Sequence, residues 1–131
     1  MIVVDASALV DVLAGEGRAT ERQADEDLVA PHLIDAEVGS ALRRMVAQGV
    51  IDVAVADCAI ADLQALEIER FDLGLLLWRA WELRDNLSFY DALYVALAEA
   101  LDAPLVTLDA RLAGAPGVAA TVEVIRGVRR R

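Results

Sequence analysis

The chain has 131 residues, is 57% hydrophobic and carries a formal net charge of -10. That length fits one domain, and that hydrophobicity excludes a disordered chain. The acidic balance excludes nucleic-acid binding through a broad basic surface, although bound divalent cations can reverse the sign of a site locally. All 12 Lys/Arg positions are arginine, which excludes phosphate loops and Schiff-base chemistry built on lysine.

Residues 2–4, Ile-Val-Val, form a β-branched apolar run that reads as a buried parallel strand ending at Asp5. No basic lead precedes it and Asp5 interrupts it, so a secretory signal is not expected. Over 6–13, Leu9, Val10 and Leu13 recur at helical spacing, with Gly15 and Gly17 as stops. Thr20 and Gln23 have capping-box spacing in a short polar helix over 20–26. Residues 28–30 read as a second strand, ended by Pro31. His32 follows in a loop-to-helix junction, with a local structural role expected.

A long helix is predicted over 33–48, its apolar stripe made by Leu33, Ile34, Val38, Ala41, Leu42, Met45 and Val46, with Gly49 as its stop. Further helices are expected over 53–68, with Asp52 as a possible cap, over 73–87, and over 88–101. Cys58, the single cysteine, is expected in or near the core. Residues 105–108 form a strand ending at Asp109, and 122–125 form the last strand. The apolar runs 73–78 and 92–98 are far too short for a membrane span. The chain is expected to be one cytoplasmic domain over 1–131, with 126–131 as a frayed basic tail.

Strands alternating with helices predict an α/β fold, a central parallel sheet flanked by helices on both faces. Such sheets carry their sites at the carboxyl ends of the strands, where Asp5 and Asp109 fall. Structural roles compete at each carboxylate. Asp5 suits the cap of the first helix, and Asp109 the cap of a turn over 110–112. Asp91 stands three after Ser88, at capping-box spacing. Glu37 and Asp35 flank the apolar stripe on opposite sides, and periodicity does not choose between them. Carboxylates that do meet in one crevice repel, and hard divalent cations remove that cost. Such a cluster suits phosphodiester hydrolysis by a metal-activated water.

Four ordered stretches resemble the PIN-domain family, and within it the VapC-type toxin ribonucleases. They are Ile2-Val3-Val4-Asp5-Ala6-Ser7-Ala8-Leu9, Asp35-Ala36-Glu37-Val38 with Ala41-Leu42-Arg43, Tyr90-Asp91-Ala92-Leu93-Tyr94-Val95-Ala96-Leu97-Ala98, and Leu105-Val106-Thr107-Leu108-Asp109-Ala110-Arg111-Leu112. The third is the most specific. The resemblance selects Glu37 over Asp35. It implies an endoribonuclease, the toxin of a type II toxin–antitoxin pair, with Asp5, Glu37, Asp91 and Asp109 holding Mg2+, or Mn2+ as a substitute. Ser7 and Thr107 would orient those carboxylates or the attacking water. Arg111 would contact a phosphate or form a surface ion pair. RNA as substrate, a cognate VapB-type antitoxin and a homodimer are implied as partners. Trp78 and Trp81, with the leucines of 73–77, belong either to the core or to the dimer or antitoxin surface. A phosphatase with a strand-end aspartate is a poor rival, because Ser7 stands where its second aspartate belongs and lysine is absent. A non-catalytic PIN-like binding module is the alternative reading.

Overall fold

The computed structural model describes residues 1–126, so the tail expected to fray lies, save for Arg126, outside the described residues. Five strands form one sheet: β1 (Ile2–Val4), β2 (Leu28–Pro31), β3 (Ile68–Phe71), β4 (Leu105–Thr107) and β5 (Val122–Val124). Their order is β3-β2-β1-β4-β5, and every pairing is parallel. Central β1 is completely buried along Ile2, Val3 and Val4, as its unbroken β-branched sequence requires of a strand covered on both faces.

Six helices flank the sheet: α1 (Ala6–Ala14), α2 (Thr20–Gln23), α3 (Ile34–Ala47), α4 (Val53–Ala65), α5 (Leu77–Glu82) and α6 (Phe89–Leu101). Helices α1, α3 and α4 pack on one another, while α5 packs on α6 and α6 lies along β1, β2 and β4. Right-handed crossovers explain the two groups: the chain steps outward from β1 to β3, then returns past β1 to β4. All seven residues 92–98 of α6 are buried, so this helix is apolar around its circumference.

Several sequence expectations change. The helix over 53–68 ends at Ala65, and Ile68–Phe71 is an unexpected fifth strand, paired with β2 from Leu28↔Ile68 to Pro31↔Phe71. Leu63 and Leu66 carry the apolar spacing of α4 to its end, which hides the boundary from periodicity. Glu69 and Arg70 are polar residues on this edge strand, which discourages pairing with another sheet. Pro31 is the last residue of β2 rather than its stop. The helix over 73–87 reduces to a 3-10 turn at Leu73–Leu75 and the six-residue α5. Thr20 opens α2 without capping it, and α2 ends at Gln23. Asp52 precedes α4 without a side-chain cap bond. Cys58 is exposed, not in the core.

Candidate active site

The site grows from the carboxyl end of β1. Asp5 leaves the strand in extended geometry and caps α1: its Oδ1 accepts the Ala8 N–H at 3.0 Å and the Ser7 hydroxyl at 2.6 Å. Its Oδ2 accepts the Thr107 hydroxyl at 2.5 Å from the neighbouring β4. Each hydroxyl is anchored in turn. Ser7 Oγ accepts the Leu108 N–H and Thr107 Oγ1 accepts the Asp109 N–H, both at 3.0 Å. Ser7 and Thr107 therefore tie the ends of β1 and β4 together and leave the Asp5 carboxylate little freedom to rotate. The capping role leaves room for a site role in Asp5, because a carboxylate oxygen can accept more than one hydrogen bond, as Oδ1 does here from Ser7 and Ala8.

Two further carboxylates face this one. Asp91 lies in the first turn of α6, which Ser88 starts by accepting the Asp91 N–H at 3.2 Å. Glu37 lies in the first turn of α3, with its Oε1 buried and without a hydrogen-bond partner. Burial is the main cause that raises both Asp5 and Glu37 above their ordinary values. The Ser7, Thr107 and Ala8 hydrogen bonds pull Asp5 back down, and the charge of Asp91 pushes it up. Glu37 is pushed up by the charges of Asp91 and Asp5 and eased by Tyr94 and Arg44. These three acids thus repel one another in a part-buried site, which is unfavourable for an apoprotein unless a cation or a proton is supplied.

Asp35, two residues from Glu37, is engaged elsewhere: Arg70 of β3 forks onto it at 2.6 and 2.8 Å. Asp109 is also diverted. It caps the turn Ala110–Leu112 by accepting the Arg111 N–H, and the Arg111 guanidinium clasps both its oxygens, at 2.6 Å for Nη2 to Oδ2. That pair holds the Asp109 carboxyl below its usual range. Of the sequence candidates, the structure brings Asp5, Glu37, Asp91, Ser7 and Thr107 together and turns Asp109 onto Arg111. Among the described residues no three acid, histidine or cysteine side chains converge closely enough to ligate a metal as they stand.

Tyr94 is the side chain the sequence reading passed over. Its hydroxyl lies beside Glu37, close enough for each to shift the other's titration, yet short of well-formed hydrogen-bond geometry. It is buried without a partner. Its position three after Asp91, on the same helical face, was the available signal. The site opens into a cleft of about 570 Å3 lined by Ser7 and Glu37 and extending between α1 and α3. His32 stands apart, exposed, 3.4 Å from Asp72.

The donor set tests well against a hard divalent cation. It consists of carboxylate and hydroxyl oxygens, the buried Glu37 Oε1 lacks a partner, and the three facing acids repel for want of a positive charge. Asp109 must leave Arg111 to join, and the other acids must draw closer together, since no three of them meet as they stand.

Comparison with known proteins gives a consistent result. The family model described as PIN domain matches residues 2–118. The chain is 47% identical to Ribonuclease VapC1 of Mycobacterium tuberculosis (strain CDC 1551 / Oshkosh), over 95% of this chain and 97% of the relative. Among solved structures it is similar to PAE2754 from Pyrobaculum aerophilum, with TM-score 0.68, 29% identity, and coverage of 94% of this chain and 83% of that one. VapBC2 from Rickettsia felis, solved bound to a DNA fragment from its promoter, shares the fold at TM-score 0.64 and 15% identity, covering 95% and 98% of the two chains.

Proposed function

The chain belongs to the PIN-domain family, and on that premise we propose that it is a VapC-type endoribonuclease, the toxin of a toxin–antitoxin pair, working with Mg2+ or Mn2+ in the cytoplasm. The observation that carries the reading is the set of three part-buried carboxylates, Asp5, Glu37 and Asp91, that raise one another's need for a cation while arginines neutralise acids elsewhere. The family's relatives named as VapC ribonucleases supply the activity class.

Asp5, Glu37 and Asp91 would hold the cation or its waters, joined by Asp109 once Arg111 swings away. Such an ion supplies an activated water and stabilises charge on the phosphate. Ser7 and Thr107 are positioning residues. By donating to opposite oxygens of Asp5 they keep both lone-pair faces in one orientation. Tyr94 borders Glu37 on the buried side, where it excludes water. Arg111, exposed and clasped to Asp109, is available to a phosphate when that clasp opens.

The partner expected is a VapB-type antitoxin, in keeping with the VapBC2 structure of the same fold. A homodimer is the expected assembly. Its surface is the apolar patch of Leu75, Leu77, Trp78 and Trp81, which are 81, 45, 81 and 51% exposed. Of the apolar run that precedes the tryptophans, Leu76 is buried and Leu73 partly so. The core reading of both tryptophans is therefore set aside. No helix among the described residues is long and apolar enough to cross a membrane.

The decisive experiment incubates antitoxin-free protein with total RNA, with Mg2+ or Mn2+ and then with excess chelator, beside Asp5→Asn. Discrete cuts that need both metal and Asp5 are expected. Equal cutting by a folded Asp5→Asn variant would dismiss this site.

A further inference from the structure

The cleft continues past the acids along α3, and its far part has no role in the chemistry just described. Its apolar lining is Ala6, Val10, Leu33, Ala36 and Ala41, which form a trough between α1 and α3. Two groups stand along it that suit a nucleotide. Arg44 lies seven residues beyond Glu37, about 10 Å along the same helix face. Its guanidinium donates to the Ser40 hydroxyl at 3.2 Å, and no carboxylate among the described residues is within ion-pair distance of it. Arg18, Arg22, Arg70, Arg79 and Arg111 each pair with an acid; Arg43 and Arg84, like Arg44, do not among the described residues, and of these three Arg44 is the one that lines the trough. Tyr90, one residue before Asp91, is 63% exposed and borders the same trough.

We propose that this trough is the subsite for the RNA strand running away from the cut: Arg44 binds a phosphate next to the scissile one, and the Tyr90 ring stacks on a base. The proposal rests on the ribonuclease reading and deepens it. Charge complementarity favours RNA as the occupant. A chain of net charge -10 repels a polyanion, and an arginine without an acidic partner, continuous with a site that takes cations, offers a local exception. An exposed aromatic is a stacking platform for any base, so it contributes grip without reading sequence. Arg44 reaches Glu37 only through its charge and forms no ion pair with an acid of the site, so its expected effect is on binding of the neighbouring phosphate.

The test measures fluorescence anisotropy of a labelled single-stranded RNA oligonucleotide of mixed sequence, with Ca2+ replacing Mg2+, over a range of salt. Arg44→Gln is expected to weaken binding roughly tenfold and to lower the slope of log affinity against log salt by about 0.7, the value of one phosphate contact on a single strand. Tyr90→Ala is expected to weaken binding roughly tenfold with the slope unchanged, and Tyr90→Phe to restore it. Arg43→Gln, on a neighbouring exposed arginine outside the trough, is expected to bind as the parent does. The proposal is overturned if the parent binds no RNA, if Arg43→Gln weakens binding as much as Arg44→Gln, or if Arg44→Gln and Tyr90→Ala bind like the parent. The last result would reassign the trough to a protein segment. Cleavage measured in parallel with Mg2+ separates the two ideas. Parental cleavage with unchanged binding in the variants leaves the nuclease standing and removes the subsite. Weakened binding without cleavage by any protein leaves the subsite and removes the nuclease.

Discussion

At the carboxyl end of β1, three carboxylates face one another with no arginine clasping them. At the β5 edge, each part-buried carboxylate has one. There Glu123 receives Arg22 at 2.6 and 3.1 Å, and Glu99 receives Arg79 at 2.7 and 3.1 Å as well as the Ala119 N–H. The arginine contacts lower both glutamates, whereas burial raises Asp5 and Glu37. The contrast shows that net acidity alone does not mark a site. In a chain with 22 acids, the candidates for function are those whose buried charge the protein leaves for something else to neutralise.

The sharpest way to break this comparison is within one helical turn. Glu37→Gln is expected to lower cleavage on the order of 10^2-fold or more, in the range seen when a group stabilising the transition state is lost, with the fold retained. Asp35→Asn is expected to leave cleavage intact and to cost about 0.5–1 kcal/mol through its exposed but two-pronged pair with Arg70. Cleavage assays beside urea melts read both. A reversed pattern would mean that the unpaired acid is not the functional one.

The next effect is on pH dependence of the metal-free protein. Asp5 and Glu37 stand above their ordinary values of 3.8 and 4.5. The folded state keeps protons that the unfolded chain has released, so stability falls as pH climbs from those values through the raised folded ones. Glu99 and Glu123 behave in the opposite sense. Their lowered values add stability above the ordinary 4.5, and it is lost as pH falls through the depressed folded values. Urea midpoints are therefore expected to decline on both sides of a maximum. Asp5→Asn should flatten the upper limb and Glu99→Gln the lower one. Adding Mg2+ to the parent should also lift the upper limb. Parallel curves for all three proteins would show that the two groups of acids do not differ as described.

Tyr94→Phe is the smallest and finest probe. Removing a buried hydroxyl that lacks a partner is expected to be neutral or to stabilise by up to about 1 kcal/mol. Cleavage is expected to fall less than tenfold, through looser placement of Glu37 rather than loss of a reacting group. A large destabilisation in a thermal melt would show that the hydroxyl is hydrogen-bonded after all.

Much of this was legible in the chain itself. The β-branched run before Asp5, the stripe of α3 and the wholly apolar stretch of α6 specify their elements by local patterning. Two aspartates at strand ends follow from that pattern, as does the α/β class. The edge strand β3 was not legible, because Glu69 and Arg70 dilute its apolar signal and its partner β2 lies some 40 residues earlier. Nor was the exposure of Trp78 and Trp81, since a six-residue helix has too little pattern to say which side faces the core.

The sequence by itself determined which oxygen-bearing residues exist, their order, and the strand ends and helix turns that carry them, because those depend on contacts a few residues apart. The tertiary structure decided which acids are neutralised by arginines distant in the chain, whereas the clasp of Arg111 on Asp109 spans only two residues. Arg70 reaches Asp35 across 35 residues, Arg22 reaches Glu123 across 101, and Thr107 reaches Asp5 across 102. Charge pairing and burial act through space at a few ångströms, and separation along the chain does not reveal which distant groups will meet.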